Sequence, residues 1–515
     1  MLAFSEFARL AQQGNYVPVT LTLTADLETP VSILSRLKDD EDVFLLESVE
    51  AGERFGRNSF IGLNPRARFS VEDGRAFVED ADGRRELPEA ATKEGAFMAL
   101  RSLTEGLRPA APADLPAFTG GAVGALGWEM CGEFEPKTGY KPHGLTAAFM
   151  VAEDMIIFDN FRHTMTISAG VRIDEFPDLG SAFAAGAARV EAVRARIRRP
   201  LDLSKLPDQH PAAVPVLKAN TTEHDFCAMV EKAKGLIRDG ELIQVVLSQK
   251  FSGETTIEPF TFYRALRRIN PSPYTFFMKM GGLTFVSSSP ETLCRTEADG
   301  SALLRPIAGT RKRGASAADD ERLSEELLAD PKERAEHLML VDLARNDLGR
   351  VAAPGSVKTP SFMTVEYFSH VMHIVSTVTG QLAPGLDAYD LVRSAFPAGT
   401  LSGAPKVRAM QIIRELEPEP RGFYGGAAGY FGYDGAMDLA ITIRTLIFED
   451  LDEPEAPGGA KRRNFSIQAG AGIVYDSVPA LEYQETKNKA AAMMKADAVD
   501  LEAKSGGIVP KGINH

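Results

Sequence analysis

Apolar and polar positions change period repeatedly along the chain. VFLLES (43–48) reads as a strand, AAFMVAEDMIIFDNFRHTMTISA as hairpin-like strands, and the Ala-rich stretch from Leu179 to Arg198 as a helix. The pattern then lapses from Arg199 to Thr222, a Pro-rich run that reads as a linker. Beyond it Phe226, Met229, Val230, Ala233, Leu236 and Ile237 trace one helical face. Gly240 ends that helix, and LIQVVLSQKF follows as a strand with Gln244, Val246 and Ser248 on one side. YTFFMKMGGLTFVSSSPE predicts a hairpin about Gly281 and Gly282, and RNFSIQAGAGIV is expected to pair with DLAITIRTLIFED. Hairpins separated by helices predict an α+β fold, antiparallel sheets covered by helices. The linker divides it into an N-terminal region, 1–210, and a second region, 220–505.

Two acidic doublets, Glu333/Glu336 and Glu482/Glu485, each place two carboxylates on one face of a predicted helix. Four facing carboxylates make a hard oxygen site, better suited to Mg²⁺ than to zinc. Each doublet also has a plain structural explanation. Asp330 and Pro331 suit a helix start at which Glu333 is a capping-box acid, and Glu485 pairs at i,i+4 with Lys489. Glu336 lies a turn further in, beside the apolar run Leu338, Met339, Leu340, Val341, expected to pack inward.

Other residues stand out by chemistry. Arg444 is a cation in an apolar strand, either a buried salt bridge or a fork for a substrate carboxylate. His373 shares a strand face with Val371 and Val375, and by position alone reads as a core histidine. Gly470, Ala471 and Gly472 suit either a tight turn or bare amides approaching a carboxylate. Neither this segment nor Gly399 through Lys406 has the spacing of a nucleotide loop. Glu291 follows Pro290 at a strand-to-loop transition.

Composition narrows the class. A net charge of −14 argues against nucleic acid, and no apolar stretch is long enough to span a bilayer, so a soluble cytoplasmic protein with no membrane partner is expected. Cys131, Cys227 and Cys294 have no ligand spacing and read as reduced thiols.

The ordered segments LLESVEAGERFGRNSFIGLNP, NPSPYTFF, SSSPE, PIAGTRKRG, AEHLMLVDLARNDLGR, HVMHIVS, FPAGTLSGAPK, YGGAAGYF, AITIRT, QAGAGIVYDS and EYQETKNK together resemble the chorismate-utilising enzymes, most closely their anthranilate-forming branch. The resemblance implies an antiparallel β-sandwich wrapped by helices, with a Mg²⁺-dependent cleft. Carried residue by residue, Glu336 and Glu485 would be the principal Mg²⁺ ligands, with Glu333 and Glu482 beside them. Gly470, Ala471, Gly472 and Lys489 would anchor the ring carboxylate, and Tyr424 and Arg444 the enolpyruvyl carboxylate. Thr400 would give a hydrogen bond, Glu291 would be the acid that protonates the departing hydroxyl, and His373 would serve pyruvate elimination.

Two positions separate branches of this family. Where Gln244 stands, isochorismate-forming relatives carry a lysine that activates water. Where Ala308 stands, aminodeoxychorismate-forming relatives carry a lysine nucleophile. Neither Gln244 nor Ala308 can do that work. The resemblance therefore implies that ammonia attacks chorismate to give anthranilate and pyruvate, with aminodeoxychorismate synthesis, or a noncatalytic chorismate-binding regulator, as the alternatives. MCGEF around Cys131 lacks the elbow of a glutamine amidotransferase, so a separate amidotransferase subunit is implied as ammonia source. LLES and NPSPYTFF resemble a feedback site for L-tryptophan, implicating Glu47, Ser48, Pro273, Tyr274 and Phe276, with Thr275 in place of the usual methionine.

Overall fold

In the computed structural model, residues 1–48, 56–88, 94–201, 217–368, 371–451 and 461–494 are described. Two large antiparallel sheets lie face to face and helices cover their outer sides. Alternation sets the layers. Along strands Val43–Glu47 and Tyr274–Met280, Phe44, Phe276 and Met278 enter the core between the sheets, whereas Val43, Leu45 and Phe277 face helices. Val123, Ala125 and Met150 of the second sheet complete that inner layer.

The expected helix over the Ala-rich stretch forms as Leu179–Ile197. That after the linker forms as Glu223–Arg238, where the Thr222 hydroxyl accepts from the Asp225 N–H at 3.2 Å and Phe226, Met229, Val230 and Ala233 are buried. Most of the linker, 202–216, lies outside the described residues. The hairpin about Gly281 and Gly282 forms with φ of +50° and +88° there. Both sheets take strands from either side of residue 210: Val43–Glu47 pairs with Tyr274–Met280, and Gly121–Leu126 with Ala427–Gly432.

The chain passes from one sheet to the other at several places. Leu145–Ala152 lies in the second sheet and Asp154–Asp159 in the first, so the hairpin-like stretch is split at Glu153. Leu283–Ser289 belongs to the first sheet and Thr292–Thr296 to the second. DLAITIRTLIFED divides into Met437–Ile441 in the second sheet and Thr445–Asp450 in the first; only the latter pairs with Arg463–Ile473. Arg444 is thus no strand residue. It sits at the corner with φ +49°, a left-handed conformation uncommon outside glycine, asparagine and aspartate.

Candidate active site

Glu291 and Arg444 occupy adjacent corners. The Ile441 N–H donates to the Glu291 carbonyl at 2.9 Å, the Ser288 N–H to the Arg444 carbonyl at 3.2 Å, and the Ser289 hydroxyl to the Ile441 carbonyl at 2.6 Å. Both side chains are thereby placed by backbone ties. Burial pushes the Glu291 carboxyl up to about 7, against a hydrogen bond from the Thr400 hydroxyl at 2.8 Å and the Arg444 charge. Burial lowers Arg444, and Glu291 opposes that shift. Thr400 stands on the short helix Gly399–Ser402.

His373 lies on strand Val371–Gln381, half-buried rather than in the core, edge-on to Phe368 at 5.2 Å. Its Nδ1 is 3.0 Å from the Gly309 carbonyl, an acceptor only, so Nδ1 carries the proton and Nε2 keeps a lone pair. Burial lowers its pKa, the Gly309 carbonyl raises it, and Arg444 lowers it further. Ala308 pairs with Ile374 on the neighbouring strand and offers no nucleophile.

A second group of residues gathers where helices Pro331–Gly349 and Pro479–Met494 carry the acidic doublets. Asp330 caps the first helix by accepting from the Lys332 and Glu333 N–H groups at 2.9 and 3.3 Å. Glu333 is therefore free of the cap and accepts from Arg311 at 2.9 Å. Glu336 accepts from the Gln244 amide at 3.2 Å, and burial raises it, with Gln244 opposing and the Glu333 and Glu485 charges adding. Glu482 is raised by burial, with Ser477 opposing and Glu485 adding. Glu485 makes the expected i,i+4 pair with Lys489 at 2.7 Å. Leu340 and Val341 pack inward as expected, but Leu338 is 52% exposed and does not.

Among the described residues no three of these carboxylates close into a metal-holding cluster. The donor set still fits a hard divalent cation: all oxygen, and near enough that Glu333 and Glu485 raise Glu336 and Glu485 raises Glu482.

Gly470, Ala471 and Gly472 form neither turn nor nest; they lie in strand Arg463–Ile473, paired with Gln244–Thr255. Their smallness makes room for side chains. A Cβ on Gly470 would meet the Tyr424 hydroxyl at 2.7 Å, and one on Gly472 the Gln244 amide at 2.8 Å. Lys489 donates to the Gly470 carbonyl at 2.9 Å. Contacts thus run from Glu336 through Gln244 to Gly472, and from Tyr424 through Gly470 to Lys489 and Glu485.

Elsewhere, between the sheets, Glu47, Ser48, Pro273, Tyr274, Thr275 and Phe276 wall a cavity of about 240 Å³. Glu47 is already engaged: Arg267 grips its two oxygens at 2.8 and 3.1 Å and Tyr263 donates to it as well. The Ser48 hydroxyl is buried with no partner among the described residues. Tyr274 turns its hydroxyl to Asp438 at 2.8 Å and Thr292 at 2.9 Å.

Sequence reasoning overlooked Glu417 and Arg421, beneath Tyr424. Their signal was an arginine closing the Pro-rich ELEPEPR just before GFYGG.

The chorismate binding enzyme model matches residues 41–495. Anthranilate synthase component 1 of Pseudomonas putida is 43% identical over 96% of this chain and 98% of its own length. Its counterpart from Acetivibrio thermocellus is 41% identical over 95% of this chain and 96% of its own. The crystal structure of anthranilate synthase component I from Streptococcus pneumoniae TIGR4 superposes with a TM-score of 0.74 at 35% identity, covering 92% of this chain and 99% of that one. On these matches the chain belongs to the chorismate binding enzyme family.

Proposed function

We propose that this chain is the chorismate-using component of an anthranilate synthase, converting chorismate and ammonia to anthranilate, pyruvate and water. The carrying observation is the contact of Gln244 with Glu336. An amide sits where a lysine would activate water, and Ala308 removes the other lysine route. Ammonia is left as nucleophile at the carbon beside the ring carboxylate, and a glutaminase subunit supplies it.

Glu291 carries the first step. Raised to about 7 by its buried corner, its carboxyl keeps a proton in a sizeable fraction of molecules at neutral pH and delivers it to the departing ring hydroxyl, which leaves as water. Arg444 and Tyr424 grip the enolpyruvyl carboxylate and hold that hydroxyl before Glu291. In the second step the proton on the aminated ring carbon is removed as the enolpyruvyl oxygen leaves. Neutral His373, with Nε2 open, takes it and the ring becomes aromatic. Glu336 and Glu485, with Glu333 and Glu482 beside them, would hold Mg²⁺, which when bound neutralises the ring carboxylate.

Tryptophan inhibits from the cavity between the sheets. The Ser48 hydroxyl, without a partner among the described residues, supports this reading, since a buried polar group without a partner costs about 1 to 3 kcal/mol that an amino-acid ligand would relieve. Pro273 and Phe276 supply an apolar wall for an indole.

The test is product identity. Purified chain with chorismate, ammonium and Mg²⁺ yields fluorescent anthranilate, while glutamine alone yields none; isochorismate or aminodeoxychorismate as product would overturn the assignment.

A further inference from the structure

Behind the cleft lies a buried ion pair that no step of the reaction uses. Arg421 and Glu417 have side chains 1% and 4% exposed and are 2.7 Å apart. Taking two charges out of water costs several kcal/mol each, and apolar replacements of such pairs are often as stable or more so. Stability alone is therefore a poor account of the pair. Its bonds suggest another.

The guanidinium donates through Nη1 to the Leu401 carbonyl at 2.8 Å and through Nη2 to the Val246 carbonyl at 2.7 Å. Nε and Nη2 bind both Glu417 oxygens at 2.8 and 2.7 Å. Its plane lies over Trp128 at 4.1 Å and nears the Tyr424 ring at 5.6 Å. Glu417 also accepts from the Ser248 N–H and hydroxyl, both at 2.8 Å, and the Gln468 amide reaches that hydroxyl at 2.8 Å. The Glu129 carboxylate accepts from the Arg421 backbone N–H at 2.8 Å.

Each anchored element carries a cleft residue. Val246 follows Gln244 on its strand, Leu401 is next to Thr400, Tyr424 lies three residues after Arg421 in the same loop, and Gln468 precedes Gly470. We infer that Arg421, clamped by Glu417, is a positioning residue that holds the Gln244 strand, the Thr400 helix and the Tyr424 loop in one arrangement. This rests on the proposed chorismate reaction in that cleft. A planar fork is required, because a lysine ammonium cannot reach two carbonyls and both carboxylate oxygens from one rigid plane. The link to the chemistry runs through Thr400, whose hydroxyl bond holds the Glu291 pKa down. Arg444 is the charge acting on Glu291, and Arg305 and Asp347 line the same recess.

Three proteins test it: wild type, R421K, and the apolar double variant R421M/E417L. The double variant is expected to stay soluble with a melting temperature near wild type, and to lose about 100-fold in kcat/KM, the usual cost of a misplacement near 1 Å. In both variants backbone amides 399–402 and 421–425 exchange faster with deuterium, and the alkaline limb of the rate profile moves to higher pH, since a loosened Thr400 no longer lowers Glu291. Impaired folding alone would not move that limb. An R421K enzyme within threefold of wild type, unchanged exchange at 399–402, or an insoluble double variant would each overturn the proposal. Should wild type form no anthranilate, the chorismate reading falls, while exchange at 399–402 still decides whether Arg421 holds the helix.

Discussion

The two sides of the cleft are built by different means. Glu291 and Arg444 stand at corners where the chain passes between sheets, and backbone hydrogen bonds tie both corners before any side chain is considered. The acidic doublets stand on helices, and their carboxylates are held by flexible partners: Gln244, Arg311 and Lys489. On the proposed reaction the corner side is pre-set for proton transfer, which needs a fixed donor and a tuned pKa. The helix side is an assembly of like charges that a cation would draw together. Geometry is built into the first, and in the second the proposed Mg²⁺ would complete it.

Removing charge from the helix side should do most damage. Glu336→Gln is expected to abolish turnover at saturating Mg²⁺ and, by relieving repulsion from Glu333 and Glu485, to raise the melting temperature without metal. Glu485→Gln should lose less, because Glu485 is exposed and already paired with Lys489. Steady-state rates and melting curves with and without Mg²⁺ measure both; near-normal turnover in Glu336→Gln would reduce the doublets to surface acids.

On the corner side, Glu291→Gln should lower kcat by about 10² to 10⁴-fold, the span of general acid catalysis, while chorismate still binds. The stability sign follows from the raised pKa. The folded carboxyl prefers its proton, so wild type loses stability as pH rises from the ordinary carboxylate range through about 7. Glu291→Gln should therefore melt higher than wild type at pH 8 and alike at pH 4, and equal melting at both would show that the corner imposes no desolvation cost.

A smaller effect separates tuning from placement. Thr400→Val removes the bond that lowers Glu291, so the alkaline limb should move to higher pH with a loss of roughly tenfold in kcat, consistent with one hydrogen bond to a charged group. A stationary limb would leave burial and Arg444 as sufficient. Smallest on turnover is Ser48→Ala, expected to weaken tryptophan inhibition several-fold with uninhibited rates within about twofold, the removed hydroxyl bond being worth about 1 kcal/mol. Dose–response curves check it, and equal loss of rate and inhibition would deny a separate site.

Elements with local causes were legible in the sequence. The Glu223–Arg238 helix has its cap and its apolar face, and the hairpin about Gly281 and Gly282 has its turn glycines. What was not legible depended on which sheet a strand joins. DLAITIRTLIFED keeps an unbroken strand-like composition through its corner, because both sheets bury the same residue types. Arg444 therefore read as an intruder in a strand when it was the turning point. The grip of Arg267 on Glu47 was likewise hidden, because the two are 220 residues apart. Glycines 470 and 472 suited either a tight turn or bare amides, since nothing nearby in sequence announces that Tyr424 and Gln244 need their space.

The interleaving of the two chain halves has a consequence for synthesis on the ribosome. The first 172 residues supply five adjacent strands of one sheet, ending at Val43–Glu47, whose neighbour Tyr274–Met280 is still unmade. At about 5 to 20 residues per second that edge stays bare for roughly 5 to 20 s. An uncovered apolar strand is a template for pairing with another nascent chain. The same seam later walls the cavity between the sheets, so the region proposed to sense the end product is also the region most exposed to misassembly while the enzyme is being born.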